Sequence, residues 1–260
     1  MTNPHGRFIW YELLTTDAAA ASAFYGDVIG WETRDSGMPG VDYRLFATGG
    51  HDVAGHMTIP QGVPETMRPA WLGYIGVDDI DAVVGAIAAD GGRVHMPAMD
   101  MPGVGRIAMV SDPQNVPFYV MRGASEGESR SFSVSDAGHC RWNELSTSDQ
   151  EGALAFYTRH FGWQRGEAMP MGEMGDYRFV HHGGEMIGAV MPVQPQAPGP
   201  LWFFYFGVED IDAAAAKVGA GGGTVVQQPM QIPGGEYSLV AADPQGVAFG
   251  LVGPRKEHGQ

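Results

Sequence analysis

The sequence predicts an α+β protein made of two tandem copies of one domain, each copy built from two β-α-β-β-β units. Three observations carry that prediction. Trp10-x-Glu12-Leu13, Asp17, Phe24-Tyr25 and Gly30-Trp31 return as Trp142-x-Glu144-Leu145, Asp149, Phe156-Tyr157 and Gly162-Trp163, at a constant offset of 132 residues. Tyr74-Ile75-Gly76-Val77-Asp78-Asp79-Ile80-Asp81 returns as Tyr205-Phe206-Gly207-Val208-Glu209-Asp210-Ile211-Asp212, at an offset of 131. Asp112-Pro113-Gln114 returns as Asp243-Pro244-Gln245, again at 131. Self-similarity at a fixed period constrains a fold more strongly than any single motif.

The elements follow in order. Phe8 to Leu14 reads as a strand. Asp17 opens a helix as its N-cap or first-turn acid. Phe24, Tyr25, Val28 and Ile29 recur at helical spacing, and Gly30 stops the helix. Trp31–Arg34, Tyr43–Thr48 and Val53–Ile59 read as three strands, with Gly49-Gly50-His51-Asp52 as a turn. The same grammar then repeats. Trp71–Val77 is a strand, and Asp78 or Asp79 caps a helix that ends at Gly91-Gly92. Strands follow near Arg93-Val94-His95, Gly105–Val110 and Pro117–Met121. The turn Asp112-Pro113-Gln114-Asn115 closes the last hairpin. Gly246 stands where Asn115 does in the first copy, and both residues tolerate the positive φ such a turn needs. The expected boundaries are 6–122 for the first domain, 123–137 for a linker of Gly, Ser and Glu, and 138–253 for the second domain.

A chain of 260 residues is long enough for two domains with real cores. Hydrophobic residues at 44% and charged residues at 17% describe a soluble globular protein. No run of about 18 apolar residues is present, so no membrane association is expected. Met1–Arg7 is polar and lacks an apolar signal core. Cys140 is the only cysteine, which excludes an internal disulfide or thiolate cluster and fits a reducing cytoplasm. The net charge of −15 would repel a phosphate backbone, so nucleic acid is not an expected partner. A small-molecule ligand is, with the chain as a monomer of pseudo-dimeric domains or as a homodimer. No Ser-His-Asp order, phosphate-binding Gly loop or dinucleotide fingerprint appears.

With these motifs in hand, the chain resembles the vicinal oxygen chelate superfamily, which holds glyoxalase, bleomycin-resistance and dioxygenase proteins. The resemblance rests on Trp-x-Glu-Leu-x-Thr-x-Asp, Phe-Tyr, Gly-Trp, Val-Asp-Asp-Ile-Asp-Ala and Asp-Pro-Gln, and it covers nearly the whole chain twice. It is strongest toward two-domain bacterial glyoxalase-like or hydroxylase-like proteins. It implies that each domain curls its paired units into a cleft for a metal or a small ligand. Metal-dependent members draw a His/Glu set from the cleft strands. The corresponding positions here are Trp10 and Trp142, then Trp71-Leu72 and Trp202-Phe203, then Tyr119 and Gly250. None of these supplies the expected imidazole or carboxylate. No cofactor is therefore expected, and a divalent metal stays only as an alternative that the resemblance leaves open.

Glu12 and Glu144 lie two residues after the lost ligand position. Strand alternation predicts that Phe8, Trp10, Glu12 and Leu14 share the cleft face, while Ile9, Tyr11 and Leu13 pack beneath the helix. Each Glu reads either as a general base or ligand-anchoring acceptor, or as a structural residue bonded to backbone or to an Arg. Trp10, Trp142, Trp71 and Trp202 read as aromatic pocket walls or as core. Tyr43 and Tyr177, each in an Asp-Tyr-Arg, are candidate hydrogen-bond donors, and His56 a candidate ligand-binding side chain. Met169–Met174 flanks the expected cleft. The function expected is binding, or sequestering, of an apolar or carbonyl compound without the standard metal ligands. The alternative is a lyase or hydroxylase-type enzyme with Glu12 or Glu144 as base.

Overall fold

A computed structural model describes residues 3–60, 62 and 68–256. Most of the Pro60–Pro69 passage lies outside the described residues. The first repeat forms β1 (Phe8–Thr15), α1 (Ala18–Ile29), β2 (Glu32–Asp35), β3 (Tyr43–Thr48), β4 (His51–Thr58), β5 (Ala70–Gly76), α2 (Ile80–Ala89), β6 (Arg93–Met101), β7 (Gly105–Ser111) and β8 (Pro117–Gly123). The second forms β9 (Cys140–Thr147), α3 (Gln150–Phe161), β10 (Gln164–Pro170), β11 (Asp176–His182) and β12 (Glu185–Pro192). It continues with β13 (Leu201–Gly207), α4 (Ile211–Ala220), β14 (Thr224–Gln231), β15 (Tyr237–Ala242) and β16 (Ala248–Gly253). The strands make two eight-stranded sheets, ordered β2-β3-β4-β1-β5-β8-β7-β6 and β10-β11-β12-β9-β13-β16-β15-β14. The β1–β4, β5–β8, β9–β12 and β13–β16 pairs are parallel, and the hairpins flanking them are antiparallel. The architecture is α+β with four β-α-β-β-β units, as the repeats predict.

Local chemistry explains where the elements start and stop. Each helix is capped by an aspartate whose side chain accepts from a first-turn N–H: Asp17 from Ala20, Asp79 from Ala82, Asp149 from Gly152 and Asp210 from Ala213. Asp79, not Asp78, is the cap of α2. Gly30 and Gly162 end α1 and α3 in the left-handed conformation, with φ of 89° and 69°. Asn115 (φ 65°) and Gly246 (φ 83°) occupy the predicted turn position, and Asn115 is the single non-glycine residue of positive φ among the described residues. The stretch 123–137 is partly packed: Ser131 and Phe132 are buried, and the Ser131 carbonyl accepts from Cys140 N–H.

By contacts the chain divides into two compact units. The first comprises Met1–Trp10, Leu72–Ser129 and Trp142–Phe203, and the second comprises Tyr11–Trp71, Arg130–Arg141 and Phe204–Gln260. Each unit thus joins half of one repeat to the opposite half of the other.

In the first unit, the core is tied by a buried relay. Trp202 Nε1–H donates to Tyr157 Oη (3.1 Å), and Tyr157 Oη–H donates to Asp112 Oδ2 (3.2 Å). The other Asp112 oxygen accepts from Gln114 and Val116 N–H, both at 2.9 Å, and so shapes the turn. Trp163 stacks on Tyr157 and donates its indole N–H to the Gly6 carbonyl at 2.7 Å. Burial pushes the Asp112 carboxyl above its usual range, and burial followed by the Asp112 charge raises the Tyr157 phenol.

The second unit repeats the device with the partners exchanged. Trp71 donates to Tyr25 Oη (3.0 Å), Tyr25 donates to Asp243 Oδ2 (3.2 Å), and Asp243 Oδ1 accepts from Gln245 (2.9 Å) and Val247 (2.8 Å). Trp31 donates to the Gly138 carbonyl at 2.6 Å. Around Tyr25 pack Phe46, Trp71 and Phe249, all buried.

Strict alternation fails at the start of β1. Phe8 packs on Trp202, and Tyr11 packs on Phe204 and Phe206, three aromatics on one face of β13. Phe8 therefore sits in the aromatic core of the first unit with Trp163 and Trp202, not in a cleft with Trp10 and Glu12 as a period of two predicts.

Tyr157→Phe removes the hydrogen bonds that the buried Asp112 Oδ2 and Trp202 N–H make to the Tyr157 hydroxyl, so the variant should lose about 1–3 kcal/mol in urea unfolding. Tyr25→Phe should lose a similar amount.

Candidate functional site

The strands β10, β11, β12 and β9 of the first unit carry the second-repeat candidates on one face. Register settles which residues share it. Glu144 lies opposite Ala189, and Ala189 lies opposite Phe179. Ser146 lies opposite Met191, and Tyr177 lies opposite Met169. Residues opposite one another point the same way, as do residues two apart on a strand. The face therefore presents Trp142, Glu144, Ser146, Tyr177, Phe179, Met169 and Met191, each half-buried. The opposite face carries Asn143, Leu145, Val180 and Val190, all buried in the core.

Three of these side chains form a chain of hydrogen bonds. Trp142 Nε1–H donates to Tyr177 Oη at 2.7 Å, and Tyr177 Oη–H donates to Glu144 Oε2 at 2.6 Å. The indole and phenol planes lie within 6° of parallel, with centroids 6.5 Å apart. An indole N–H lies in its ring plane, so a short bond from it to a parallel phenol sets the rings side by side. The two make one flat aromatic floor ending at a carboxylate. Phe179 stands at 80° to both, 6.0 Å from Trp142 and 5.7 Å from Tyr177, as a wall.

The first-repeat counterpart is more closed. Glu12 is only 5% exposed and lies opposite Gly55. The Tyr43 hydroxyl lies over that glycine: a Cβ there would meet it at 2.0 Å. Leu45 and Leu14 stand where the second repeat has Phe179 and Ser146, and Leu14 is buried. Trp10 is half-buried.

The remaining candidates are not brought together with the carboxylates. Trp71 and Trp202 belong to the core relays and are 5% and 7% exposed. His56 lies opposite Leu13, on the face away from Glu12. It stacks on Phe46 at 4.0 Å and bonds Ser22 Oγ at 2.7 Å. Burial, then the nearby Arg44 charge, pulls its pKa from 6.5 down to about 4. Sequence reading missed Phe179, Ser146 and Met191. Phe179 could have been found as the residue two after Tyr177 on a strand.

The chain belongs to the Glyoxalase/Bleomycin resistance protein/Dioxygenase superfamily, whose family model matches residues 7–120 and 137–251. It is 37% identical over 248 residues to the Mycobacterium tuberculosis protein named "Putative glyoxylase CFP32", covering 94% of each chain. It is 30% identical over 262 residues to "Anthracycline biosynthesis protein DnrV" of Streptomyces peucetius, covering 94% of this chain and 91% of that one. Its fold is similar to the Mn(II)-bound glyoxalase from Novosphingobium aromaticivorans (TM-score 0.63, 17% identity, 98% of this chain and 84% of that one). It is also similar to 2,2',3-trihydroxybiphenyl 1,2-dioxygenase from Sphingomonas wittichii (TM-score 0.68, 14% identity, 97% and 91%). No helix among the described residues is long and apolar enough to cross a membrane.

The residues present do not fit the metal that some neighbours hold. An indole N–H is a donor only, and Tyr177 spends its proton on Glu144. At the last-strand positions, Tyr119 stacks on Tyr74 at 4.3 Å, while Gly250 lies under the Tyr205 ring. No group of three His, Cys, Asp or Glu among the described residues is placed to hold an ion. Elemental analysis of protein purified without added metal should therefore find well under one transition ion per chain. A stoichiometric ion lost on Glu144→Gln would overturn this reading of the site.

His56 makes a second prediction. Its folded pKa of about 4 lies below the ordinary 6.5, so the unfolded chain takes up the proton first. The stability this gives is present above pH about 6.5 and is lost as pH falls toward 4, by on the order of 3 kcal/mol. His56→Val, the residue of the second repeat, should flatten that part of the stability–pH curve measured by urea unfolding.

Proposed function

We propose that the protein binds a planar, hydroxylated aromatic small molecule on the Trp142–Tyr177–Phe179 face, with the Glu144 carboxylate accepting a hydrogen bond from the ligand hydroxyl. The observation that carries this reading is the flat indole–phenol floor ending at a half-buried carboxylate. A flat apolar surface gains most from a flat apolar partner, and a carboxylate fixes orientation by accepting a charge-assisted bond. Met169 and Met191 border the floor with adaptable apolar surface. The likeness to a protein named for anthracycline biosynthesis supports the polycyclic character of the ligand.

The test is a titration with 2-hydroxyanthracene, read by tryptophan fluorescence. The expected outcome is saturable binding that Glu144→Gln weakens about tenfold, the worth of one hydrogen bond to a charged group. The melting temperature of that variant should move by no more than about 2 °C, because the amide oxygen of Gln can still accept from Tyr177. Absence of saturable binding, or an unchanged dissociation constant in the variant, would sink the proposal. A base role for Glu144 makes a distinct demand: mass spectrometry would find the probe chemically altered by the native protein and unaltered by Glu144→Gln.

A further inference from the structure

We infer that Ser146 makes this face selective for a ligand carrying a carbonyl as well as a hydroxyl on its rim, a hydroxyquinone in chemical terms, and that one such molecule binds per chain. The inference rests on the binding role proposed for the Glu144 face. Ser146 lies two residues beyond Glu144 on β9, points to the same side, and is half-buried opposite Met191. Same-face neighbours on a strand are about 7 Å apart. A serine hydroxyl can donate as well as accept, whereas the carboxylate only accepts, so Ser146 supplies the donor that Glu144 lacks. The face therefore offers an acceptor and a donor on side chains whose backbone positions are about 7 Å apart, beside a flat aromatic floor. The complementary ligand is planar and bears one O–H and one C=O at a matching separation. An aromatic hydrocarbon with a hydroxyl alone satisfies only half of the pair.

The first repeat has lost this arrangement. Leu14, buried, stands in place of Ser146, and Leu45 in place of Phe179. Glu12 is nearly inaccessible at 5% exposure. Its face has a carboxylate and a tyrosine but neither the donor nor the aromatic wall. Two equal sites per chain are therefore not expected, despite the tandem repeat.

The experiment compares 2-hydroxyanthraquinone with 2-hydroxyanthracene at pH 6 by calorimetric and fluorescence titration of the full chain. The native protein should bind the quinone about fivefold to tenfold more tightly, the range of one added neutral hydrogen bond, with one site per chain. Ser146→Ala should bring the two dissociation constants to within about twofold while leaving that of 2-hydroxyanthracene unchanged. Ser146→Thr, which keeps the hydroxyl, should retain the preference. Equal affinities in the native protein, or a Ser146→Ala variant weakened equally toward both probes, would overturn the inference while leaving the binding role of the face intact. Failure of both probes to bind would remove the binding role and the inference together.

Discussion

The hydrogen bond from Tyr157 to Asp112, with its twin from Tyr25 to Asp243, is the constraint on which the packing depends. One carboxylate does two jobs in each case. Its first oxygen accepts two backbone N–H groups and sets the turn between the last two strands of a repeat. Its second oxygen holds the tyrosine of a helix from the other repeat. That tyrosine in turn accepts the indole N–H of a core strand. Each of these groups is buried, so each would cost free energy if left without a partner. Turn, helix and strand are consequently locked to one another, and none can shift alone.

This explains why the same residue types recur at one offset. Tyr25 has no use for the aspartate of its own repeat, since its partner is Asp243, and the partner of Tyr157 is Asp112. The tryptophans follow the same rule: Trp31 bonds Gly138, and Trp163 bonds Gly6. A tandem repeat whose copies exchange partners must keep the donor in one copy and the acceptor in the other, twice over. The repeated Phe-Tyr, Gly-Trp and Asp-Pro-Gln motifs are therefore read here as packing chemistry and not as a site.

On the faces that bear Glu12 and Glu144 the two copies differ in residue type. Trp, Glu and Tyr persist in both, but Phe179 becomes Leu45, Ser146 becomes Leu14 and Gly250 becomes Tyr119. Leu14 is buried where Ser146 is only half-buried, so the two faces are filled differently. Tyr119 has a ring to stack on at Tyr74, and Gly250 leaves room for the ring of Tyr205.

The number of units, the helix ends at Gly30 and Gly91-Gly92 and the positive-φ turn position at Asn115 were legible in the sequence, because each is set by residues within a few positions of one another, while the choice of Asp79 over Asp78 as a cap was not. The sequence also showed that the usual metal positions carry Trp, Tyr or Gly. Only the tertiary structure decided which tryptophans belong to the core. Trp71 and Trp202 follow the same alternation rule as Trp10 and Trp142, and nothing local marks that their indoles meet Tyr25 and Tyr157. The core contact of Phe8 was likewise invisible, since its partner Trp163 lies more than a hundred residues away. The exchange of partners between copies was hidden for the same reason. Identical motifs at a fixed offset satisfy bonding within a copy or across copies equally well, and only the folded chain places Asp243, not Asp112, against Tyr25.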